Sequence, residues 1–145
     1  MTFPPVGDLV PHSPPTLALD ELVAWSPGRA TLRTTIAPDS LLVRGDRVHT
    51  VAALEWMAQG VAACLGHEAF RGGGAVRVGM VIACRRMTLA RDTVAVGEVL
   101  TIDVRCVRSS DALSTYDTET KDAAGALVAT ATMTILHAER PPDAQ

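Results

Sequence analysis

A glutamate and a glutamine stand out in a segment that is otherwise apolar. Glu55 and Gln59 lie within residues 51–65, whose other members are Ala, Val, Leu, Met, Trp, Gly and Cys. Residues four apart in a helix project from the same face, so the two side chains should be neighbours. A buried carboxyl group favours its protonated form and suits a general acid near neutral pH. The spacing agrees equally with a solvent-facing Glu55 that is favoured by the helix dipole.

Two of the four histidines are candidate general bases, because histidine titrates near neutral pH. His12 lies in a proline-rich stretch at residues 10–15, and His49 lies six residues before Glu55. Each is also compatible with a surface or hydrogen-bonded histidine of no catalytic role. His67, at the predicted helix end, is interpreted as structural. Nothing in the sequence argues for a function of His137.

Motifs for other chemistries are missing from the sequence. It contains no nucleophile elbow, phosphate-binding loop, dinucleotide-binding glycine pattern or zinc-protease motif. The three cysteines, Cys64, Cys84 and Cys106, are far apart and each lies in an apolar segment, which predicts reduced core residues. We therefore expect no cofactor and no metal site.

Composition places the chain among ordinary globular domains. It has 145 residues, 48% of them hydrophobic and 20% charged, with a net charge of −3. These values predict a single domain over 1–145 and exclude a disordered tail or a basic nucleic-acid binder. The first residues lack the pattern of a secretory signal, and the apolar segment is interrupted by Glu55 and Gln59, so we expect a cytoplasmic protein with no spanning helix.

Patterning along the chain predicts one helix among several strands. A proline-rich extended arm should cover 1–16, and a tail over 139–145 should be frayed. Thr50 is a plausible N-cap for a helix over Val51–Leu65, whose end is marked by Gly66 and His67 and then by Arg71 and Gly72–Gly74. Leu17–Trp25 could be a strand or a short helix by pattern alone. The alternation of Arg29–Ile36 predicts a strand paired with that segment as a hairpin, and a loop follows over Ala37–Asp46. Further strands are predicted at Ala75–Ala83 (extending toward Leu89), Val99–Val107, Leu113–Thr120 and Leu127–Leu136.

The order of these elements indicates a fold class. A helix that is apolar on nearly every side is buried, and here only a sheet can surround it. The pattern favours an α+β hot-dog arrangement, in which a curved antiparallel sheet wraps around a long central helix. An ordinary two-layer α+β domain would give the same periodicity.

Three segments, taken together, resemble one protein family. Residues 10–20, VPHSPPTLALD, resemble the "LPHxxPxLLLD" opening of 3-hydroxyacyl-ACP dehydratases of the FabZ type. Residues 54–63, LEWMAQGVAA, resemble their "EAMAQ" helix, and residues 94–100, VAVGEVL, resemble their "PVxPGDxL" bend. The resemblance covers residues 8–137 and is greatest for the divergent branch found with aryl-polyene gene clusters.

The resemblance implies a reaction and the residues that perform it. It implies dehydration of 3-hydroxyacyl thioesters carried by acyl carrier protein or CoA, in a homodimer or a larger assembly of dimers, with the site between subunits. Glu55 matches the catalytic carboxylate and Gln59 its supporting glutamine. Trp56 would line the core or acyl tunnel, and the backbone N–H groups near Ala52 and Ala53 would stabilise the enolate.

One departure from the family pattern affects the proposed base. The catalytic histidine of the "GHFPGxPxxPGV" loop would fall at Leu41, and the whole loop motif is missing. His12, whose surrounding motif matches, is slightly favoured as the replacement over His49, and loss of the base is the third alternative. A hot-dog acyl thioesterase and a non-catalytic subunit of a heteromeric dehydratase therefore remain as alternative functions.

Overall fold

A long helix and two antiparallel sheets form the part of the chain that the structure describes. The structure is a computed structural model that describes residues 2–10, 17–72, 79–110 and 112–137. The larger sheet has six strands in the order β1-β2-β7-β8-β9-β5, and the smaller has the order β3-β4-β6. The elements are β1 (Glu21–Ser26), β2 (Arg29–Thr35), β3 (Val43–Arg44), β4 (Arg47–His49), α1 (Ala53–Arg71), β5 (Gly79–Leu89), β6 (Thr93–Ala95), β7 (Val99–Ser109), β8 (Leu113–Lys121) and β9 (Leu127–His137).

The predicted hairpin at the start of the large sheet is confirmed. β1 pairs with β2 in antiparallel register, and Gly28 in the connecting turn has φ +76°. Alternate residues of β2, namely Ala30, Leu32 and Thr34, are buried, as the period of two predicts. This buried face contacts α1. Thr34 is therefore a polar side chain on the face of the sheet that packs against the helix.

The helix ends at the second of its two predicted end signals. α1 continues through Gly66 and His67 to Arg71 and is capped by Gly72, so the first signal lies within the helix. A glycine is needed at position 66 because the N-terminal arm crosses the helix there. A Cβ on Gly66 would lie 1.7 Å from the carbonyl oxygen of Leu9. The small size of glycine permits this close packing, whereas the sequence pattern was interpreted in terms of its conformational freedom at a helix end.

The helix start also differs from the prediction. A 3₁₀ turn, Thr50–Ala52, precedes α1, and the Nδ1 of His49 accepts a hydrogen bond from the backbone N–H of Val51 at 3.2 Å. His49 is therefore the capping residue. Thr50, which the sequence suggested as the N-cap, is fully buried, and its hydroxyl has no hydrogen-bond partner in the structure.

The small sheet was not predicted. Its strands contain only two or three residues each, and residues 37–46 were interpreted as a loop. Segments this short show no measurable period. The sheet nevertheless fixes the entrance to α1, since β4 ends at His49 and the backbone N–H of Thr50 donates to the carbonyl of Asp92 at 2.8 Å.

The predicted strands after the helix are confirmed where the structure describes them. β7, β8 and β9 follow each other as antiparallel neighbours, and the bend before β7 turns at Gly97 with φ +91°. Among the described strands, β5 pairs with β9 and lies at an edge of the large sheet. The pairing register shifts between Val81 and Ala83 and again between Arg85 and Thr88, where Arg86 has φ +55°. The start of the predicted strand, residues 75–78, lies outside the described residues.

The cysteines do not all belong to the core. Cys64 is buried, and burial raises the pKa of its thiol to about 12, so the thiol stays protonated at neutral pH. Cys106 is half-buried and Cys84 is exposed on β5. The prediction of a core position is therefore wrong for Cys84. The sequence of β5 is apolar, but the side chain of Cys84 is exposed to solvent in the part of the chain that the structure describes.

The large sheet, with its buried face against α1, has the predicted hot-dog architecture. The buried face consists mainly of Leu32, Leu100, Ile102, Val104 and Met133, which surround Met57 and Val61 of the helix. Within residues 2–10, 17–72, 79–110 and 112–137, no helix is long and apolar enough to cross a membrane.

Candidate active site

Glu55 lies in the first turn of α1. Its side chain is exposed, which agrees with the solvent-facing alternative that the sequence left open. Glu55 is thus an exposed carboxyl group on a helix whose neighbouring positions are apolar.

Gln59 is fully buried and connects Glu55 to the N-terminal region. Its Nε2 donates to Oε1 of Glu55 at 2.8 Å, which confirms the contact predicted from the four-residue spacing. Its Oε1 accepts from the backbone N–H of Ala18, also at 2.8 Å. Because an N–H group can bond only to the oxygen end of the amide, Ala18 fixes which end of Gln59 faces the carboxylate.

The backbone at Ala18 is held from the other side by the sheet. The hydroxyl of Thr34 donates to the carbonyl oxygen of Ala18 at 2.8 Å. Thr34 is 2% exposed, so this hydrogen bond is shielded from water. Neither Thr34 nor Ala18 was predicted from the sequence to belong to the site, although a threonine on the apolar face of β2 was a usable signal.

Of the two candidate bases, His49 belongs to the described residues and His12 does not. His49 is exposed at the end of β4, with Nδ1 engaged by Val51. A neutral imidazole that accepts at Nδ1 has its proton on Nε2, so neither nitrogen offers a free lone pair in this arrangement. His12 lies outside the described residues. Val10, two residues before it, is buried in the core, and Ala18, six residues after it, bonds to Gln59.

The other predicted site residues surround the start of α1. Trp56 is 3% exposed and belongs to the core. Ala52 and Ala53 are buried, and the backbone N–H of Ala53 donates to the carbonyl oxygens of Thr50 and Val51. In this structure that N–H group is therefore occupied by the 3₁₀ turn. Leu41, which replaces the loop histidine of the FabZ type, is 55% exposed.

His67 has a structural position away from the glutamate. Its ring contacts the rings of Phe3, Trp25 and Phe70. Burial, together with the positive charge of Arg71, lowers the pKa of His67. Its environment agrees with the structural interpretation from sequence. It also joins the residues before Leu9 to the second half of α1.

Ligand sets for metals are not evident in the described ranges. No group of three or more His, Cys, Asp or Glu side chains in them could hold a metal ion.

Comparison with known proteins gives one family and a set of similar folds. The model of the ApeP-like family, described as ApeP dehydratase, matches residues 4–145. No curated protein matches the sequence.

Among solved structures, the dehydratase heterocomplex ApeI:P from Xenorhabdus doucetiae contains a chain with a TM-score of 0.89 and 19% identity, covering 96% of this chain and 94% of that one. A hypothetical thioesterase with coenzyme A from Streptococcus pneumoniae gives 0.65 and 17%, covering 81% and 84%. The Escherichia coli PaaI protein gives 0.64 and 16%, covering 80% and 81%. At these identities the structural matches establish the fold.

Proposed function

Because the chain belongs to the ApeP-like family of dehydratases, we propose that it acts in the removal of water from 3-hydroxyacyl thioesters, delivered on acyl carrier protein or CoA. In this reaction a proton leaves the α-carbon, the β-hydroxyl leaves with a second proton as water, and a carbon–carbon double bond forms between the two carbons. The thioester itself stays intact. The reaction therefore needs one base and one acid at fixed positions.

The observation that carries the proposal is the orientation of Glu55. Its carboxyl group is at the surface, in the first turn of α1, and is held by the buried amide of Gln59. A positioned group of this kind can donate the proton that the departing hydroxyl needs. The helix N-terminus would favour the negative charge that develops on the thioester oxygen. Ala52 and Ala53 lie at this terminus, and Trp56 packs behind it.

We assign the base to His12. His49 is engaged as a cap through Nδ1. The motif around His12, residues 10–20, matches the opening of the FabZ-type pattern, and this match favours His12 as the base.

The test is a set of three substitutions assayed for dehydration of 3-hydroxyacyl thioesters and for hydration of trans-2-enoyl thioesters. Glu55→Gln and His12→Ala should each reduce kcat by about 100-fold or more, as general acid–base groups do. His49→Ala should leave kcat within a few-fold and reduce the unfolding free energy by about 1 kcal/mol, because it removes a cap. Full turnover by Glu55→Gln would refute the proposed reaction, and full turnover by His12→Ala would refute the assignment of the base.

The edge strand β5 supports a second hot-dog chain as partner. Three consecutive residues, Met80, Val81 and Ile82, are 60%, 39% and 51% exposed. The pairing with β9 is irregular between Val81 and Ala83, and these three side chains remain exposed in the part of the chain that the structure describes. Another strand that paired along this edge would satisfy the backbone and bury these side chains. The similar chain from Xenorhabdus doucetiae is part of a heterocomplex.

Whether the partner is a second copy or a different chain has a direct readout. The mass of the purified chain in solution, measured alone and with a co-expressed hot-dog chain of the same gene cluster, distinguishes the two. If activity requires the second chain and Glu55→Gln abolishes it, Glu55 serves a shared site. If activity requires the second chain and Glu55→Gln has no effect, this chain is a non-catalytic subunit, an alternative favoured by Leu41 in place of the loop histidine.

A thioesterase is the second candidate reaction. It is favoured by an exposed carboxyl group on the central helix and by the fold shared with the hypothetical thioesterase from Streptococcus pneumoniae. A thiol-reactive dye separates the two reactions, because hydrolysis of acyl-CoA releases free thiol and dehydration does not. Thiol release without enoyl formation would favour the hydrolase.

A further inference from the structure

A chain of three hydrogen bonds connects the large sheet to the proposed catalytic carboxyl group. Thr34 holds the carbonyl of Ala18, the N–H of Ala18 holds the oxygen of Gln59, and the nitrogen of Gln59 holds Glu55. Each of the three bonds is 2.8 Å long. Thr34 and Gln59 are both buried, so water does not compete strongly with the bonds they make.

We propose that Thr34 is a positioning residue for the reaction of Glu55. The inference rests on the proposed role of Glu55 and extends it to a residue that never touches the substrate. Thr34 holds Ala18 against the sheet, so that the N–H of Ala18 points toward the helix. Without that N–H, the Gln59 amide loses one contact that directs its nitrogen toward Glu55 and its oxygen away from it.

The orientation of Gln59 matters because its two ends have opposite effects on a carboxylate. The Nε2 end donates a hydrogen bond to Glu55, whereas the Oε1 end in the same place would repel it. A flip of the amide would therefore move the carboxyl group from its position. Small displacements of a reacting group reduce rates strongly, with about 1 Å sufficient for about 100-fold.

Three variants of the full chain, assayed together with its partner chain if activity requires one, test the inference. Thr34→Val keeps the shape and removes the hydroxyl, whereas Thr34→Ser keeps the hydroxyl. Thr120→Val is the matched control, because Thr120 is also fully buried in the large sheet but its hydroxyl has no hydrogen-bond partner in the structure. All three should remain folded, as judged from circular dichroism at the assay temperature.

We expect Thr34→Val to lower kcat for dehydration by about tenfold to 100-fold with KM changed less than about threefold. Thr34→Ser should restore most of kcat, and Thr120→Val should match the unsubstituted chain. Equal kcat for Thr34→Val and Thr120→Val would overturn the inference, as would equal losses in Thr34→Val and Thr34→Ser.

A second measurement separates this inference from the proposed function. Amide hydrogen exchange at Ala18 reports the bond to Gln59 without any turnover, and Thr34→Val should accelerate it relative to Thr120→Val. Unchanged exchange would refute the link from Thr34 to Gln59 even in an active enzyme. If Glu55→Gln retains full turnover, the proposed function fails, and the positioning role falls with it whatever the exchange rates are.

Discussion

Replacing Gly66 with alanine should detach the N-terminal residues from the helix that they cross. A Cβ at this position would lie 1.7 Å from the carbonyl oxygen of Leu9, and real Cβ atoms essentially never approach closer than 3.0 Å. The obstacle is backbone on both sides, so no side-chain rotation can relieve it. Either the arm or the helix must move by more than about 1 Å.

The size of the effect follows from the two ways of relieving the clash. Forcing an extra carbon into a packed interior destabilises by about 1–3 kcal/mol, and this contact is at the severe end. Releasing the arm instead exposes Val6, Leu9 and Val10, which are at most 5% exposed. At about 1.5–3 kcal/mol for each side chain, release sets an upper limit of roughly 5–9 kcal/mol. The better helix propensity of alanine offsets about 1 kcal/mol. We therefore expect Gly66→Ala to lose about 2–4 kcal/mol of unfolding free energy.

Gly60→Ala is the matched control within the same helix. Its Cβ would lie 3.1 Å from methyl groups of Ile102 and Val104, and these side chains can shift by a few tenths of an ångström. The gain in helix propensity is the same, so this variant should stay within about 1 kcal/mol of the parent. Urea unfolding followed by circular dichroism gives both values. If Gly66→Ala and Gly60→Ala have equal unfolding free energies, packing of the arm does not require a glycine at position 66, and the reasoning is wrong.

Two further predictions concern the edge strand and the partly buried ion pair of Arg91 and Glu98. Ile82→Lys should abolish association with a partner chain, as measured by light scattering. Leu127→Lys, at a similarly exposed position away from that edge, should not affect association. Equal association of both variants would argue against β5 as the interface. Burial alone would raise the pKa of Glu98, but the hydrogen bonds from Arg91 and from the backbone N–H of Ala95 outweigh it and lower the pKa. The pair should therefore contribute its full stability above the unfolded-state pKa of about 4.3, and this contribution should disappear as pH falls through the lower folded-state pKa. The difference in unfolding free energy between the parent chain and Glu98→Gln should be large at pH 7 and vanish at acidic pH. A difference that stays constant with pH would contradict the assignment.

The sequence was sufficient for the main architecture and for one contact of the site. The alternation in residues 29–36 predicted the buried face of β2, and the spacing of Glu55 and Gln59 predicted their hydrogen bond. Both depend on local periodicity, which the sequence displays directly.

What the sequence did not predict depends on long-range contacts. Glu55 lies on a helix that is apolar on nearly every side, and such a pattern does not tell which side this chain leaves open. The role of Gly66 depends on its contact with Leu9, which is 57 positions away in the sequence. The contact from Ala18 to Gln59 crosses 41 positions. Residue patterns within a window of one helix cannot contain this information.

The bulge in β5 has a consequence for the chain before it meets a partner. An exposed apolar edge strand is a template for uncontrolled pairing between identical chains, which leads to aggregation. Within the described strand the pairing register shifts between Val81 and Ala83 and again between Arg85 and Thr88, and Arg86 adopts a left-handed conformation. The adjacent Arg85 and Arg86 add charge that opposes stacking of further strands. The two irregularities and the two arginines therefore limit how far an incorrect strand can extend along this edge.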